Sequence, residues 1–362
     1  MKVCSFLPAA TSMIYQMGLE ELLYGVTFEC HSDKPKVVRS YLEGNNYTSL
    51  EIDKVVSESK QEGKSLYYID EELLQQISPD IIFTQDVCDV CQISTSYVER
   101  AIYKLKKQPK IIPLIPRNLD DVFDNAVTIA QALGKEEAAY NLLAQLKKRT
   151  DSILNKLREN NAPLKRVMVM EWLDPIYNCG HWIPYQIAQA GGVDMLSNPS
   201  GYSIVTPWEK VALYNPEVLV VAPCGFNVER SSKEIEKLTQ LEGWNNLKAV
   251  KNNAVYIADA DLFTCPSLHL VDGIELLASL LHPDIFPANE KFKNRCVQLY
   301  RKKQCPECSK EFTCSSSDCW CGKFPRIMPL DMNKECLCSE CLEKIINKKL
   351  KHQVSWNPIQ HS

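Results

Sequence analysis

Over the first 287 residues, short apolar runs alternate with longer stretches whose apolar positions recur at helical spacing. Residues 2–6, 23–27, 81–84, 111–114, 166–170, 218–221 and 255–258 are mostly rich in Val, Ile and Leu and too short for helices, so they read as strands. Helical patterns follow most of them, as at residues 11–17 and 268–281. A further helix starts near Pro184 and stops at Gly191 and Gly192, as a glycine terminator should. Regular alternation of strand and helix predicts βαβ units and therefore an α/β fold with parallel sheets.

The middle of the chain sets the domain organisation. Residues 118–133 read as one helix ended by Gly134, with Asp120 and Asp121 in its first turn. Residues 135–160 contain neither Pro nor Gly, and Leu142, Leu143, Leu146, Ile153, Leu154 and Leu157 fall mostly three, four or seven apart. A helix that long spans about 40 Å and suits a bridge between two lobes. The predicted organisation is an amino-terminal α/β lobe at 1–117, linking helices at 118–164 and a second α/β lobe at 165–287. A charged, helical connector at 288–304, a cysteine-rich module at 305–345 and a tail at 346–362 complete it. No internal repeat is visible.

Charge separates the same regions. Residues 288–362 carry 14 Lys and Arg against 8 Asp and Glu, while residues 1–287 carry 27 against 37. Eight of the 16 cysteines fall in the basic part: Cys305, Cys308, Cys314, Cys319, Cys321, Cys336, Cys338 and Cys341. The Cys-x-x-Cys and Cys-x-Cys spacings let two thiolates meet one small cation, and eight thiolates would fill two tetrahedral zinc sites. Such structural zinc would give a short segment something to fold around. Iron–sulfur ligation fits the same residues, and a disulfide knot would need an oxidising compartment. Two four-thiolate zinc centres would each carry about −2, leaving the tail about +2, so the basic residues read as solvated surface and not as a nucleic-acid footprint.

The chain opens Met-Lys-Val-Cys-Ser-Phe-Leu-Pro, a start without the long apolar core of a secretory leader, and no run approaches the ~18 apolar residues of a membrane span. Cys4, Cys30, Cys88, Cys91, Cys179, Cys224, Cys265 and Cys296 are scattered. These features predict reduced thiols and a cytoplasmic setting.

Polar clusters follow several predicted strands: Glu29-Cys30-His31; Gln85-Asp86 with Cys88 and Cys91; Glu171-Trp172 with His181 and Trp182; Cys224-Gly225-Phe226; and Asp259 with Asp261. Ligands of open α/β sheets bind beyond the carboxyl ends of the strands, so these clusters predict a cleft site. The expected ligand-binding residues are Glu29, Cys30, His31, Gln85, Asp86, Cys88, Trp172, His181, Trp182, Cys224 and Phe226. The aromatics, with Tyr202, suit a flat apolar ligand, while Gln85, Asp86 and Glu29 suit a polar rim. Cys88 and Cys91 read either as a redox pair or as two small buried residues at a helix start. There is no phosphate-loop, dinucleotide, zinc-protease or nucleophile-elbow motif, so no residue is assigned a catalytic role.

At these residues the chain resembles the substrate-binding proteins for iron-siderophore complexes and vitamin B12, most of all their cobalamin-binding branch. The resemblance is carried by Phe6-Leu7-Pro8-Ala9-Ala10-Thr11-Ser12, Gly25-Val26-Thr27-Phe28-Glu29-Cys30, Thr84-Gln85-Asp86-Val87-Cys88-Asp89-Val90-Cys91, Glu171-Trp172-Leu173-Asp174-Pro175, Pro223-Cys224-Gly225-Phe226 and Leu270-Val271-Asp272-Gly273-Ile274-Glu275-Leu276-Leu277. Residues 305–341, around Cys319-Trp320-Cys321, are similar to a small bacterial cysteine-rich module named for that triplet. The first resemblance implies two Rossmann-like lobes joined by a single long helix, with a ligand cleft between them. The expected function is an intracellular binding protein for a corrinoid or another metal chelate. Two alternatives stand beside it. One is a cytosolic thiol enzyme acting on such a ligand through Cys88 and Cys91. The other is a ligand sensor whose zinc module contacts a protein partner.

Overall fold

Each predicted strand finds its place in one of two sheets of this computed structural model, which describes residues 1–62, 64–85, 98, 101–103, 105–300, 302–313, 321, 324 and 336–354. The first sheet is built from β1 (Val3–Ser5), β2 (Leu23–Thr27), β3 (Lys36–Ser40), β4 (Tyr67–Ile69), β5 (Ile81–Gln85) and β6 (Lys110–Leu114). Its order is β4-β3-β2-β1-β5-β6, parallel throughout except for β4 against β3. β1 and β5 are buried along their whole length, as parallel strands covered on both faces must be. Helices α1 (Pro8–Gln16), α2 (Ser49–Gln61) and α3 (Glu71–Ile77) belong to this lobe. Pro8 opens α1 at a position where its missing N–H costs nothing.

The bridge comprises α4 (Leu119–Leu133) and α5 (Glu136–Glu159). Asn118 and Asp121 form a reciprocal capping box at the start of α4, and Gly134 ends it in the left-handed conformation at φ 65°. The 24 residues of α5 reach about 36 Å. Leu119, Val122, Ala126, Ile129 and Leu133 of α4, and Leu146, Ile153 and Leu157 of α5, join one apolar cluster. That cluster also holds Val3 and Phe83 of the first lobe and Val167, Val220 and Leu277 of the second. The two lobes therefore share a continuous core through the bridge.

The second lobe contains β7 (Lys165–Met170), the hairpin of β8 (Trp172–Leu173) and β9 (Ile176–Tyr177), β10 (Gly180–His181), β11 (Gly192–Val193), β12 (Asn198–Pro199), β13 (Val218–Val221), β14 (Val255–Ala258) and β15 (Cys296–Leu299). The main sheet runs β11-β7-β13-β14-β15 and is parallel except for β15 against β14. Its helices are α6 (Ile183–Gln189), α7 (Trp208–Tyr214), α8 (Val228–Glu234), α9 (Glu236–Thr239), α10 (Lys248–Lys251) and α11 (Leu270–Leu281). Arg149 of α5 is clamped by Asp272 and Glu275 of α11, with Nε 2.7 Å from Glu275, and Lys291 joins both carboxylates.

The connector departs from the helical expectation. Cys296–Leu299 is a strand, because β14 would otherwise leave its outer backbone groups unpaired. Beyond it lie the hairpin β16 (Lys302–Gln304) and β17 (Glu311–Thr313), and helix α12 (Ser339–Val354). No helix among the described residues is long and apolar enough to cross a membrane. The architecture is α/β, two lobes on a helical backbone.

Candidate functional site

The carboxyl ends of β2, β7, β13 and β14 deliver the polar residues expected at a cleft. Glu29, just beyond β2, is an exposed residue whose carboxyl loses solvation to the protein around it, which raises it to about 7. Cys265, half-buried ahead of α11, has its thiol pushed up chiefly by burial, with the charges of Asp261, Cys224 and Glu29 adding to the effect. The Cys265 thiol thus feels both the Glu29 carboxyl from the first lobe and the Cys224 thiol from its own. Of these, Cys265 was not singled out by sequence, since no polar cluster or motif marks it.

The other expected residues divide. Cys30 is buried, and its Sγ donates to Thr11 Oγ1 at 3.2 Å, whose hydroxyl in turn donates to Ser5 Oγ at 2.9 Å. Burial pushes this thiol up to about 11, so it stays protonated and is a packing residue and not a thiolate ligand. His31 is exposed. Gln85 ends β5 buried, and its Oε1 has no hydrogen-bond partner among the described residues. Asp86, Cys88 and Cys91 lie outside the described residues.

Trp172 meets Phe226 edge to face, with centroids 5.1 Å apart, and the Arg230 guanidinium sits 3.6 Å above the Phe226 ring. Phe226 is itself buried, its face covered by Arg230 and unavailable to a flat ligand in this conformation. Trp182 is also core: it is 4% exposed, and its indole N–H donates to the Phe263 carbonyl at 2.6 Å. His181, half-buried with φ 53°, stacks on Trp182 and meets the exposed Tyr202 edge to face; burial lowers its pKa. Cys224 is exposed, and its backbone N–H donates to the Glu171 carbonyl at 3.0 Å.

Direct contacts across the lobes were not legible in sequence. Trp172 Nε1 donates to the carbonyl of Ser49, at the start of α2, at 3.2 Å. Glu234, at the end of α8, accepts from the Ser49 amide and hydroxyl. Thr48-Ser49-Leu50-Glu51 does carry a capping-box pattern, which marks the helix start but says nothing of a partner 185 residues away.

In the tail, the sulfurs of Cys305, Cys308, Cys338 and Cys341 all lie within 4.8 Å of one another, and Cys308 and Cys338 are 3.6 Å apart. A tetrahedral zinc–thiolate centre needs sulfurs about 3.8 Å apart. The donor set therefore fits such an ion. Burial opposes ionisation of Cys305, yet backbone amides of Cys338, Cys308 and Glu307 outweigh it and draw the thiol down to about 6. Hydrogen bonding to Cys308 and burial push Cys341 up to about 12. A dication would relieve the repulsion that keeps these thiols from ionising together. Cys336 lies apart, 3.1 Å from Lys303 Nζ. Cys321 is exposed, and Cys314 and Cys319 fall outside the described residues.

Residues 44–262 match the profile of the periplasmic binding protein family. An uncharacterized ABC transporter substrate-binding lipoprotein of Bacillus subtilis, YvrC, is 24% identical over 291 residues, covering 79% of this chain and 81% of that protein. A periplasmic heme binding protein from Pseudomonas aeruginosa shares the fold with a TM-score of 0.63 at 13% identity, over 83% of this chain and 99% of that one. The periplasmic vitamin B12 binding protein BtuF of Vibrio cholerae does so with a TM-score of 0.54 at 17% identity, over 77% and 96%. These relatives are lipoprotein or periplasmic proteins, and they overturn the cytoplasmic setting expected above. The physical reason is that Cys4, Cys30 and Cys179 are shielded by burial, so their reduced state carries no information about the compartment. Two α/β lobes on a helical backbone, together with a profile match spanning residues 44–262, make this chain a member of the periplasmic binding protein family.

Proposed function

We propose that the chain is a solute-binding protein that holds a metal chelate between its lobes, and that the chelate is a corrinoid. The observation that carries the reading is that Glu29, beyond β2 of the first lobe, and the exposed Cys224, beyond β13 of the second, both act on the Cys265 thiol. A carboxyl near neutrality suits the amide- or carboxylate-bearing rim of such a ligand, and the exposed Cys224 thiol suits a soft or borderline metal centre. Gln85, whose buried Oε1 has no partner among the described residues, adds a polar group at the end of β5. The named ligands of the structural neighbours, heme and vitamin B12, are both flat metal chelates, and the lipoprotein relative supports an extracytoplasmic role in delivery to a transporter. Of the remaining expected residues, Trp172, His181 and His31 would line the approach. In the tail, Cys305, Cys308, Cys338 and Cys341 hold one structural zinc.

The test is a spectrophotometric titration of the reduced full-length protein with hydroxocobalamin, and separately with hemin. A saturable shift of the corrin bands at one ligand per chain is expected. Saturation with hemin alone would replace the corrinoid by a porphyrin, and no shift with either at micromolar protein would overturn the chelate reading.

A further inference from the structure

The tip of α2 is buried in the other lobe. Ser49, the first residue of the helix, has no exposed surface. Its amide donates to both carboxylate oxygens of Glu234, at 2.9 and 3.1 Å, and its hydroxyl donates to the same carboxylate at 2.6 Å. Lys237 Nζ donates to that hydroxyl at 3.2 Å and pairs with Glu234 at 3.0 Å and Asp174 at 3.4 Å. The Ser49 carbonyl accepts the indole N–H of Trp172. On either side, the Tyr47 carbonyl accepts from Arg230 at 3.2 Å, and Asp53 accepts from the Tyr177 hydroxyl at 3.4 Å. Every polar group of Ser49 is thus engaged by the second lobe.

The chemistry of the joint is specific. The first amides of a helix have no partner within it and carry the positive end of its dipole, so a carboxylate is their natural counter-group. Thr48 caps the Glu51 amide from within the chain, and the Ser49 amide is left to Glu234. The joint also differs in kind from the bridge. Through α4 and α5 the lobes share an apolar core, which cannot be opened without exposing that surface. At Ser49 they share hydrogen bonds, which water can replace group for group. One attachment is permanent and the other is reversible.

We propose that Ser49 and Glu234 form a latch that holds the lobes together across the carboxyl edge of the sheets, so that its opening admits and releases ligand. The effect on ligand rates rests on the cleft-binding reading above; the latch itself does not. It accounts for Trp172 and Phe226 facing this joint, with Arg230 over the Phe226 ring reaching on to Tyr47.

Hydrogen–deuterium exchange on full-length wild type, Glu234→Ala and Ser49→Ala, without ligand, tests the latch directly. Peptides covering residues 47–53 should exchange at least tenfold faster in Glu234→Ala, less so in Ser49→Ala, with α5 and α11 unchanged. Equal exchange in wild type and Glu234→Ala would overturn the latch, and acceleration across α5 and α11 as well would reassign Glu234 to general stability. Stopped-flow binding of hydroxocobalamin or hemin then tests gating: association and dissociation should both quicken at least fivefold in Glu234→Ala. Unchanged ligand rates beside faster exchange would overturn the gating role. If neither probe binds wild type, the cleft reading fails while the exchange data still decide whether the lobes are latched.

Discussion

Glu29 concentrates the pH behaviour expected of the cleft. With its carboxyl raised to about 7 by burial, it is mostly neutral at pH 6 and mostly anionic at pH 8. The folded state favours the protonated form, so its contribution to stability is present below the ordinary carboxylate range and is lost as pH rises through 7. A ligand with an anionic rim should feel the same switch. Hemin affinity is expected to fall severalfold between pH 6 and pH 8, and Glu29→Gln should flatten that profile while leaving the pH 6 affinity within about twofold. A profile that persists in Glu29→Gln would place the switch elsewhere. The neighbouring Cys30 shows how much residue identity leaves unsaid. Glu29, Cys30 and His31 are adjacent in sequence, but the turn after β2 leaves the first and third exposed and buries the second against Thr11. Likewise Trp172 and Trp182 have similar local surroundings, and only the Phe263 carbonyl, 81 residues further on, makes Trp182 a core residue.

At the scale of elements, the clamp between α5 and α11 is a polar contact that ties the bridge to the second lobe. Burial opposes ionisation of Asp272, but hydrogen bonds from His269, Arg149 and Lys291 together outweigh it and hold the carboxyl well below the usual range. Stability from this group is therefore intact above pH ~4 and lost as pH falls further. Arg149→Ala leaves two half-buried carboxylates with Lys291 as their one remaining Lys or Arg partner and should cost about 2 kcal/mol at pH 7, with a smaller difference near pH 3, measured by urea denaturation. A cost unchanged between the two pH values would show that lost packing, and not charge, carries the effect. Periodicity made α4 and α5 legible because Asn118, Asp121 and Gly134 mark their ends and their apolar faces repeat. Strands β1, β2, β5, β6, β7, β13 and β14 were legible as apolar runs. β3 and β4 were not, because next to and at the sheet edge Lys36, Arg39 and Tyr68 are only partly covered and the pattern weakens accordingly. β15 was hidden for the same reason, lying in a charged segment where only pairing with β14 makes it a strand.

The whole molecule joins a large two-lobed body to a small module that has few apolar residues of its own. Cys305, Cys308 and Cys338 with Cys341 tie the β16–β17 hairpin to the start of α12. Cys308→Ser should lower bound metal by one ion per chain and unfold α12, while the melting of the lobes stays within about 2 °C; metal analysis beside circular dichroism measures both. Retention of the full metal content would show that Cys308 is not a ligand. The eight-cysteine pattern pointed to a thiol cluster, but which four sulfurs come together depends on a fold that brings residues some thirty positions apart into contact.

β15 carries a further consequence, for dissecting the protein. Val255 to Ala258 pair with Leu299 to Cys296, and Arg295 anchors the approach on Asp259, at 3.3 Å, and Asp261, at 2.6 Å. A cut after residue 287, where the apolar pattern ends, would strip this strand and bare the backbone of β14, offering a template on which a second copy could pair. A cut after Tyr300 keeps the strand and removes only the cysteine-rich module. Truncation at the compositional boundary would therefore yield a sticky lobe, and the self-association that followed would be a property of the cut, to be kept apart from any role of the tail itself.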